Sequence, residues 1–553
     1  MTLAPESIQA QLPAAVETAV EARLLAAAEQ DILARIWAKD PTVFGEPGTP
    51  DVANRLGWLD IAARLTPEAG ELVAFGEEVR DAGIKDVVVL GMGGSSLAPE
   101  VLRRSLGSGD GFPTLHVLDS TDAQAILDVE AKTDPGTSLY VVATKSGGTI
   151  ETLSAFKHFH ALQPDGAHFV AITDPGSALV DLAEEHGFRR TFLNDENIGG
   201  RYSALSYFGL VPAALIGADV RALLTGAEIA AAGCRPLDTK VATFGLWFGA
   251  AIGELAAHGR DKLTFLIDEP LASWALWVEQ LVAESTGKSS PNPEHSDHAV
   301  GVLPVADEPL GAVTAYGDDR VFLHVKDGDA ADGVHDARIA ELAAAGHPTI
   351  TVHFSAADAA TELGNLFFTA EFATAVTGWV LGINPFDQPN VQEAKDNTAK
   401  ALADRTPAQP GAHDHELQEL LAEATPPSYV AIMAYVAPSD AFDAAIADLR
   451  AVIRDATSAT TTFGYGPRFL HSTGQLHKGG PKHGRFLQLV HDAPQDVAIP
   501  GEEYSFEVLK AAQAIGDLET LRDHGLPAAR VTLGEDPVAA VQHLTERVRA
   551  LVS

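Results

Sequence analysis

A single cysteine, Cys234, stands in the 553 residues, which excludes an intramolecular disulfide and any cysteine-rich metal site. Basic residues are scarce as well. Lys and Arg number 38 against 76 Asp and Glu, a formal charge of −38. Nucleic acid and anionic membrane both need a basic surface, so neither is expected as a partner. Long apolar runs are missing. The nearest, Phe244 to Ala257, carries Glu254 and several glycines and falls short of the about 18 uninterrupted apolar residues that mark a membrane span. The opening Met-Thr-Leu-Ala-Pro-Glu-Ser has neither a basic start nor an apolar core, so no secretory leader is expected and a cytoplasmic location is. Neither a His-Glu-x-x-His zinc motif nor a Gly-x-Ser-x-Gly nucleophile elbow occurs. An anionic substrate sits awkwardly with this charge unless a few Lys and Arg line one cleft. The acidic excess also fits a salt-adapted host.

What remains is an ordinary globular composition, 46% hydrophobic and 21% charged, in a chain too long for one core. The most informative stretch runs from Ser138 to Thr152. Leu139 to Ala143 reads as a buried strand. Thr144, Ser146 and Thr149 then place three hydroxyls around Lys145, and Gly147-Gly148 lets the backbone turn into a helix. Such a turn directs free N–H groups and the positive end of a helix dipole at an anion. A similar glycine loop, Gly91-Met-Gly-Gly-Ser-Ser96, follows the strand Asp86 to Leu90. It lacks the third glycine of a dinucleotide fingerprint, and no Gly-Lys-Ser/Thr follows it to make a P-loop. A tight strand-to-helix turn without ligand is the alternative reading of this loop.

Between about 86 and 193, strand and helix alternate at roughly 25-residue spacing, the signature of βαβ units around a parallel sheet. Both glycine loops fall at strand carboxyl ends, where such sheets bind ligands. Residues 235–401 repeat the theme, with strands expected at Leu263–Ile267, Ala312–Ala315, Arg320–Val325 and Thr349–Phe354. The organisation expected is a helical arm over 1–82, α/β domains over 83–234 and 235–401, a polar, Pro-rich linker over 402–427, and a smaller α/β unit over 428–553.

Several residues could carry chemistry. Arg201 follows Gly199-Gly200 and suits stabilisation of an oxyanion, although a lone arginine is more often salt-bridged at a surface. Gln280 and Glu284 share one face of a helix. A carboxylate partly withdrawn from water there suits a general base, whereas Glu279 reads as a solvated charge. Phe386 to Lys395 starts a helix after an Asn-Pro turn. His471-Ser-Thr-Gly-Gln-Leu-His-Lys-Gly-Gly480 offers two histidines for proton transfer or phosphate contact.

In order along the chain, these segments resemble the phosphoglucose isomerase family, which is built from two sugar-isomerase (SIS) domains. The resemblance is nearest to the isomerase half of bifunctional transaldolase/phosphoglucose isomerases. Glu196-Asn-Ile-Gly-Gly-Arg-Tyr-Ser-Ala-Leu-Ser-Tyr-Phe-Gly209 is similar to the family's first signature, with Tyr207 and Phe208 outside its usual choices. Phe386-Asp-Gln-Pro-Asn-Val-Gln-Glu-Ala-Lys395 is similar to the second, with Asn390 for its glycine and Gln392 for its glutamate. The resemblance implies an α/β fold of two doubly wound parallel-sheet domains and an aldose–ketose isomerase. The implied reaction is interconversion of glucose 6-phosphate and fructose 6-phosphate through a cis-enediolate. Glu284 is implied as base, Arg201 as enediolate stabiliser, and Lys395 and His477 as ring-opening groups, with His477 favoured over His471. Gly94, Ser95, Thr144, Lys145, Ser146 and Thr149 are implied as the sugar-phosphate cradle, with Glu151, Gln280, Gln388 and His471 beside it. The family's histidine reaches across from a neighbouring subunit, so a homodimer is implied. No metal and no redox cofactor is needed. An isomerase for another C6-anionic hexose and a non-catalytic SIS-type sensor are the competing readings.

Overall fold

A computed structural model describes residues 8–236, 243–289, 299–330, 333–404 and 414–552. Strand β1 (Ile8–Gln11) comes first, and helical segments occupy most of the chain up to Asp81. The first sheet follows, built from β2 (Asp86–Gly91), β3 (Thr114–Leu118), β4 (Ser138–Ala143), β5 (Phe169–Thr173) and β6 (Arg190–Leu193). Its spatial order is β3-β2-β4-β5-β6 and every pair is parallel. Elements packed on both faces leave no solvent side, so the central strands are apolar throughout, and Val87 to Leu90 and Leu139 to Val142 are 0% exposed. Strand order reverses between β2 and β4, whose carboxyl ends open the loops at 91–96 and 144–149.

The second sheet contains β7 (Lys262–Ile267), while the helix Trp274–Thr286 leads into a small antiparallel ribbon of β8 (Lys288–Ser289) and β9 (Ala299–Val300). Strands β10 (Leu303–Val305), β11 (Arg320–Asp327) and β12 (Thr349–Phe354) complete the parallel order β10-β7-β11-β12. A third parallel sheet of β13 (Tyr429–Tyr435), β14 (Thr460–Tyr465), β15 (Gly484–Val490) and β16 (Ala528–Thr532) has the order β14-β13-β15-β16.

Two cores fix where these sheets stand. One is shared by the helical arm and the first two sheets, with Trp58, Leu215, Trp277 and Phe367 in a single apolar cluster. The other covers the opposite face of the first sheet, where Leu90, Tyr140 and Val142 meet Val497, Ile499, Phe506 and Leu509. The C-terminal part of the chain is thereby docked on the first sheet. Its helix Phe506–Asp523 runs beside the helix Val391–Asp404, with Asn397 Nδ2 donating to Thr520 Oγ1 at 2.8 Å.

Three expectations need correction. The arm is not wholly helical, because Ile8–Gln11 pairs antiparallel with β12, a contact too short and too distant in sequence to leave a local pattern. Ala312–Ala315 is not a strand. Val313–Ala315 is a single 3₁₀ turn, held where the Gly311 N–H donates to Tyr316 Oη at 2.8 Å, and β10 takes the place beside β7. Within the expected linker, 414–422 forms a helix whose Leu417, Leu420 and Leu421 are buried against the third sheet's core, and 405–413 lie outside the described residues.

Candidate active site

The site assembles around the helix Trp274–Thr286. Glu284 and Gln280, one turn apart, are 6% and 4% exposed and lie on the same side of the helix as the buried Trp277 and Leu281. Gln280 Nε2 donates to Glu284 Oε2 at 2.9 Å and to the His471 carbonyl at 2.7 Å. Glu284 Oε1 lies 3.2 Å from Arg201 Nη1. Arg201 is itself buried, and its guanidinium is shared out: Nε donates to Ser285 Oγ at 2.8 Å, and Nη2 to the Pro385 and Asp387 carbonyls at 2.8 and 2.9 Å. A buried charge is tolerable when paired and bonded in this way.

The glycine loop explains how Arg201 is held. A Cβ on Gly94 would stand 1.9 Å from the Gly200 carbonyl oxygen. One on Gly93, whose φ is +55°, would stand 2.9 Å from Gln280 Nε2. These glycines let the 91–96 turn lie directly against the Arg201 turn. Gly94 and Ser95 thus pack the site, and Ser96 Oγ donates back to the Gly93 carbonyl at 3.1 Å. The helical arm buttresses the same turn: Trp58 packs on Tyr202 with ring centroids 5.3 Å apart, and the Gly57 N–H donates to the Asn197 carbonyl at 2.9 Å.

The loop after β4 opens a cavity of about 260 Å³, lined by Ser146, Thr149, Glu151, Lys395, His471 and Gln513 among others. Thr149 stands at the N-cap of the helix Ile150–Leu162, whose first N–H groups face this opening, and its hydroxyl is 2.7 Å from that of Thr144. Lys145 does not line the cavity. Its ammonium pairs with Asp174 after β5 and donates to the Glu196 carbonyl, which ties the loop to the Arg201 segment. Across the cavity, His471 Nε2 lies 3.0 Å from Glu151 Oε1, which also accepts from Gln513 Nε2 at 2.7 Å. Burial alone would push the Glu151 carboxyl up. His471 and then the Lys395 charge outweigh it and hold the carboxyl below its ordinary range. Glu284 and Arg201 do not line this cavity; Gln280 and the His471 backbone connect them to it.

The 384–390 turn is clamped from two sides. Arg201 holds it as above, and Lys288 Nζ donates to the Asn384 and Asp387 carbonyls at 2.5 and 2.7 Å, with Asp387 Oδ1 at 2.6 Å. Burial, and after it the Arg201 charge, bring the Lys288 ammonium down to about 7. Asn390, the departure from the family glycine, is met by Gln475: its N–H donates to Gln475 Oε1 and its Oδ1 accepts from Gln475 Nε2, both at 2.9 Å. Gln388 is exposed on this turn, and Lys395 reaches the cavity from the first turns of the helix Val391–Asp404 with no ion-pair partner among the described residues.

A family model described as phosphoglucose isomerase matches residues 68–303. A glucose-6-phosphate isomerase of Rubrobacter xylanophilus is 31% identical over 362 residues, covering 58% of this chain and 83% of that protein. The chain belongs to the phosphoglucose isomerase family. A Thermus thermophilus glucose-6-phosphate isomerase is 34% identical over 255 residues, 44% of this chain and 57% of its own length. Among solved structures, a hypothetical protein from Thermus thermophilus superposes with a TM-score of 0.59 at 26% identity, over 71% of this chain and 100% of that one. A glucose-6-phosphate isomerase from Chlamydia trachomatis shares the fold, with a TM-score of 0.57 at 18% identity over 70% and 86% of the two chains. The matched span contains Arg201, Glu284 and the 144–149 loop. Lys395, Gln388 and both candidate histidines lie beyond it.

In a phosphoglucose isomerase framework the two candidate histidines stand in different surroundings. His471 is in the cavity. His477 is 4% exposed, with neither ring nitrogen hydrogen-bonded among the described residues, and stands among Phe486, Tyr429 and Phe469 at 5.1, 6.2 and 6.3 Å. Burial, then the neighbouring Lys478 charge, push its ring down to about 3. Within the Gly474-Gln-Leu-His477 segment, Leu476 belongs to an apolar cluster, while Gln475 bonds the Gly287 carbonyl and Asn390. Lys288, Gln475 and Gln513 are not among the candidates the sequence supplies. Lys288 stands four residues after Glu284, and that proximity is the only signal the sequence offers for it.

Proposed function

We propose that the chain interconverts glucose 6-phosphate and fructose 6-phosphate by proton transfer between C2 and C1. The observation that carries this reading is the buried Glu284–Arg201 pair, one hydrogen-bonded residue away from a cavity that has an anion-binding helix start at one side and a His–Glu dyad at the other. The substrate phosphate binds at Ser146, Thr149 and the N–H groups of the helix Ile150–Leu162. His471, oriented by Glu151, and Lys395 exchange protons with the ring oxygen and O1 to open the sugar. Glu284 then removes the C2 proton; the electron pair forms the C1=C2 bond and the charge moves to O1, within the field of Arg201. The O2 proton passes to O1 as the carbonyl forms at C2, and the proton held by Glu284 returns at C1. Gln280 keeps Glu284 in place, and Gln388 contacts the sugar from the clamped turn.

Proton NMR of glucose 6-phosphate with the protein in D2O tests the reaction: deuterium enters C2 as fructose 6-phosphate appears. Substrate unchanged, or ketose formed with no exchange at all, overturns the enediolate route. The protein is also taken to be a cytoplasmic homodimer, on the family resemblance.

His477 provides an independent check. A group whose folded pKa lies below its unfolded one destabilises the fold as pH falls through the interval between them, here from about 6.5 to about 3. His477→Phe is expected to keep turnover within about threefold, since the ring sits among aromatic side chains. At pH 5 it gains about 2 kcal/mol relative to the parent, and near neutrality little. Thermal unfolding at pH 5 and 7.5 reads the difference. A hundredfold loss of turnover with an unchanged pH slope returns His477 to the reaction.

A further inference from the structure

A second cavity, of about 420 Å³, lies behind the wall that carries His471. The single turn Arg468–His471 and the residues after it divide the two spaces: Leu470 and His471 line the catalytic cavity, whereas Arg468, Phe469 and Ser472 line the second. Its other walls come from the helix Leu97–Leu106, the helix Asp440–Thr457, β14 and the helix Trp274–Thr286 that also bears Glu284. No residue assigned to the reaction faces it.

The lining has a definite chemistry. The chain has half as many basic as acidic residues, yet three arginines meet here: Arg104, Arg450 and Arg468. Each keeps N–H groups to spare. Arg468 uses Nε and Nη2 on Asp119, both at 2.7 Å, and Arg104 uses Nε on Glu100 at 2.6 Å. Neither Nη1 of Arg468 nor either terminal nitrogen of Arg104 has a hydrogen bond among the described residues. Arg450 is buried and bonded only to neutral oxygens, the Ala306, Asp307 and Thr461 carbonyls and Thr461 Oγ1, with one Nη1 hydrogen left over. Glu279, on the same helix as Glu284, makes no hydrogen bond or ion pair among the described residues, and withdrawal from water raises its carboxyl against the pull of Arg450. Asp443 is engaged by Tyr465 Oη, and Asp307 also lines the cavity, its carboxyl raised by burial against the pull of Arg450 and Arg104. Leu97, Leu276, Phe463 and Phe469 supply an apolar floor. Guanidinium forks with free donors over an apolar floor match an oxyanion on a compact carbon body, and the volume is that of a small-molecule site.

We propose that this cavity is an effector site for a small organic anion, a phosphate or carboxylate carried on an apolar or ring-sized body. Its occupant would press on the turn that presents His471 and on the helix that presents Glu284. That coupling rests on the catalytic reading above; the binding itself does not.

Phenyl phosphate and benzoate are the probes, titrated by calorimetry into the full chain with the catalytic cavity filled by an equilibrated glucose 6-phosphate/fructose 6-phosphate mixture. One molecule is expected to bind per chain, and the tighter of the two probes names the anion. Ala447→Phe fills the cavity from the helix Asp440–Thr457, and Arg104→Gln removes a solvent-facing donor with little demand on folding. Each is expected to weaken binding at least tenfold, with basal turnover retained. Turnover of the parent, but not of Ala447→Phe, changes when phenyl phosphate is added. No binding by about 10 mM, or equal affinity in parent and both variants, overturns the site. Binding that leaves turnover unchanged overturns the effector role. Because the variants are also titrated without sugar phosphate, failure of the isomerase reading leaves the binding result readable.

Discussion

Glu284→Gln is expected to lower kcat by about 10⁴-fold while leaving KM within about threefold, the upper range for loss of a positioned general base. Glutamine fills the same volume, so the core around Trp277 and Leu281 is undisturbed. What changes is the polar shell. Glu284 accepts from Gln280 Nε2 at 2.9 Å through one oxygen and faces Arg201 Nη1 at 3.2 Å through the other. A carboxamide satisfies one of these donors and turns its own NH2 towards the second. It carries no charge to balance Arg201 and no lone pair basic enough to take the C2 proton. Substrate affinity is expected to survive because the proposed phosphate site, at Thr149 and the helix behind it, does not involve Glu284. Three measurements decide: steady-state kinetics in both directions, deuterium uptake at C2, and the thermal midpoint as a control for folding. Retention of more than about a tenth of parental kcat would remove Glu284 from the role of base.

The parallel sheets were the most legible feature, for a physical reason. A strand covered on both faces has no polar alternation, so Val87 to Leu90 and Leu139 to Val142 announce themselves as short apolar runs ending in glycine turns. Edge and closure features are silent because tertiary pairing alone creates them. Ile8–Gln11 is a strand only because β12 offers it an edge, and Val313–Ala315 curls because Tyr316 is bonded behind it. The same division runs through the site. Residues in motifs tied to one turn or helix face, such as Arg201, Gln280 and Thr149, can be singled out from local pattern. Their partners come from hundreds of residues away. Gln513 reaches Glu151 across 362 positions, and the His471 carbonyl meets Gln280 across 191. Residues of one motif can also part company in space, as Gln475 at the 384–390 turn and His477 among aromatic rings do. Lys145, central to the loop by sequence, spends its charge on Asp174, because the loop after β4 and the one after β5 must be joined.

Arg201→Lys discriminates between two accounts of what Arg201 does. If only its charge matters, lysine restores most of the activity, because it places a cation in the same region. The geometry argues against that. Arg201 makes separate bonds along three directions: to Ser285 Oγ at 2.8 Å, to the Pro385 and Asp387 carbonyls at 2.8 and 2.9 Å, and towards Glu284 at 3.2 Å. An ammonium concentrates its donors at one point and cannot span these partners. Lysine at 201 must abandon either Glu284 or the 384–387 turn, which then hangs on Lys288 alone. Loss of the proposed enediolate donor is expected to cost about 10²–10³ in kcat. Loosening of the turn, which precedes Gln388 and Lys395, adds a rise in KM. The expected outcome is therefore kcat/KM down about 10³-fold or more in Arg201→Lys, with both parameters affected. Arg201→Leu is expected to be equally inactive and in addition less stable by about 3–5 kcal/mol, because Glu284 is left as an unpaired buried charge. Kinetics and denaturant unfolding of the two variants separate charge from geometry. A lysine variant within about threefold of the parent would show that the cation alone suffices and that the fork to the 384–387 turn is incidental.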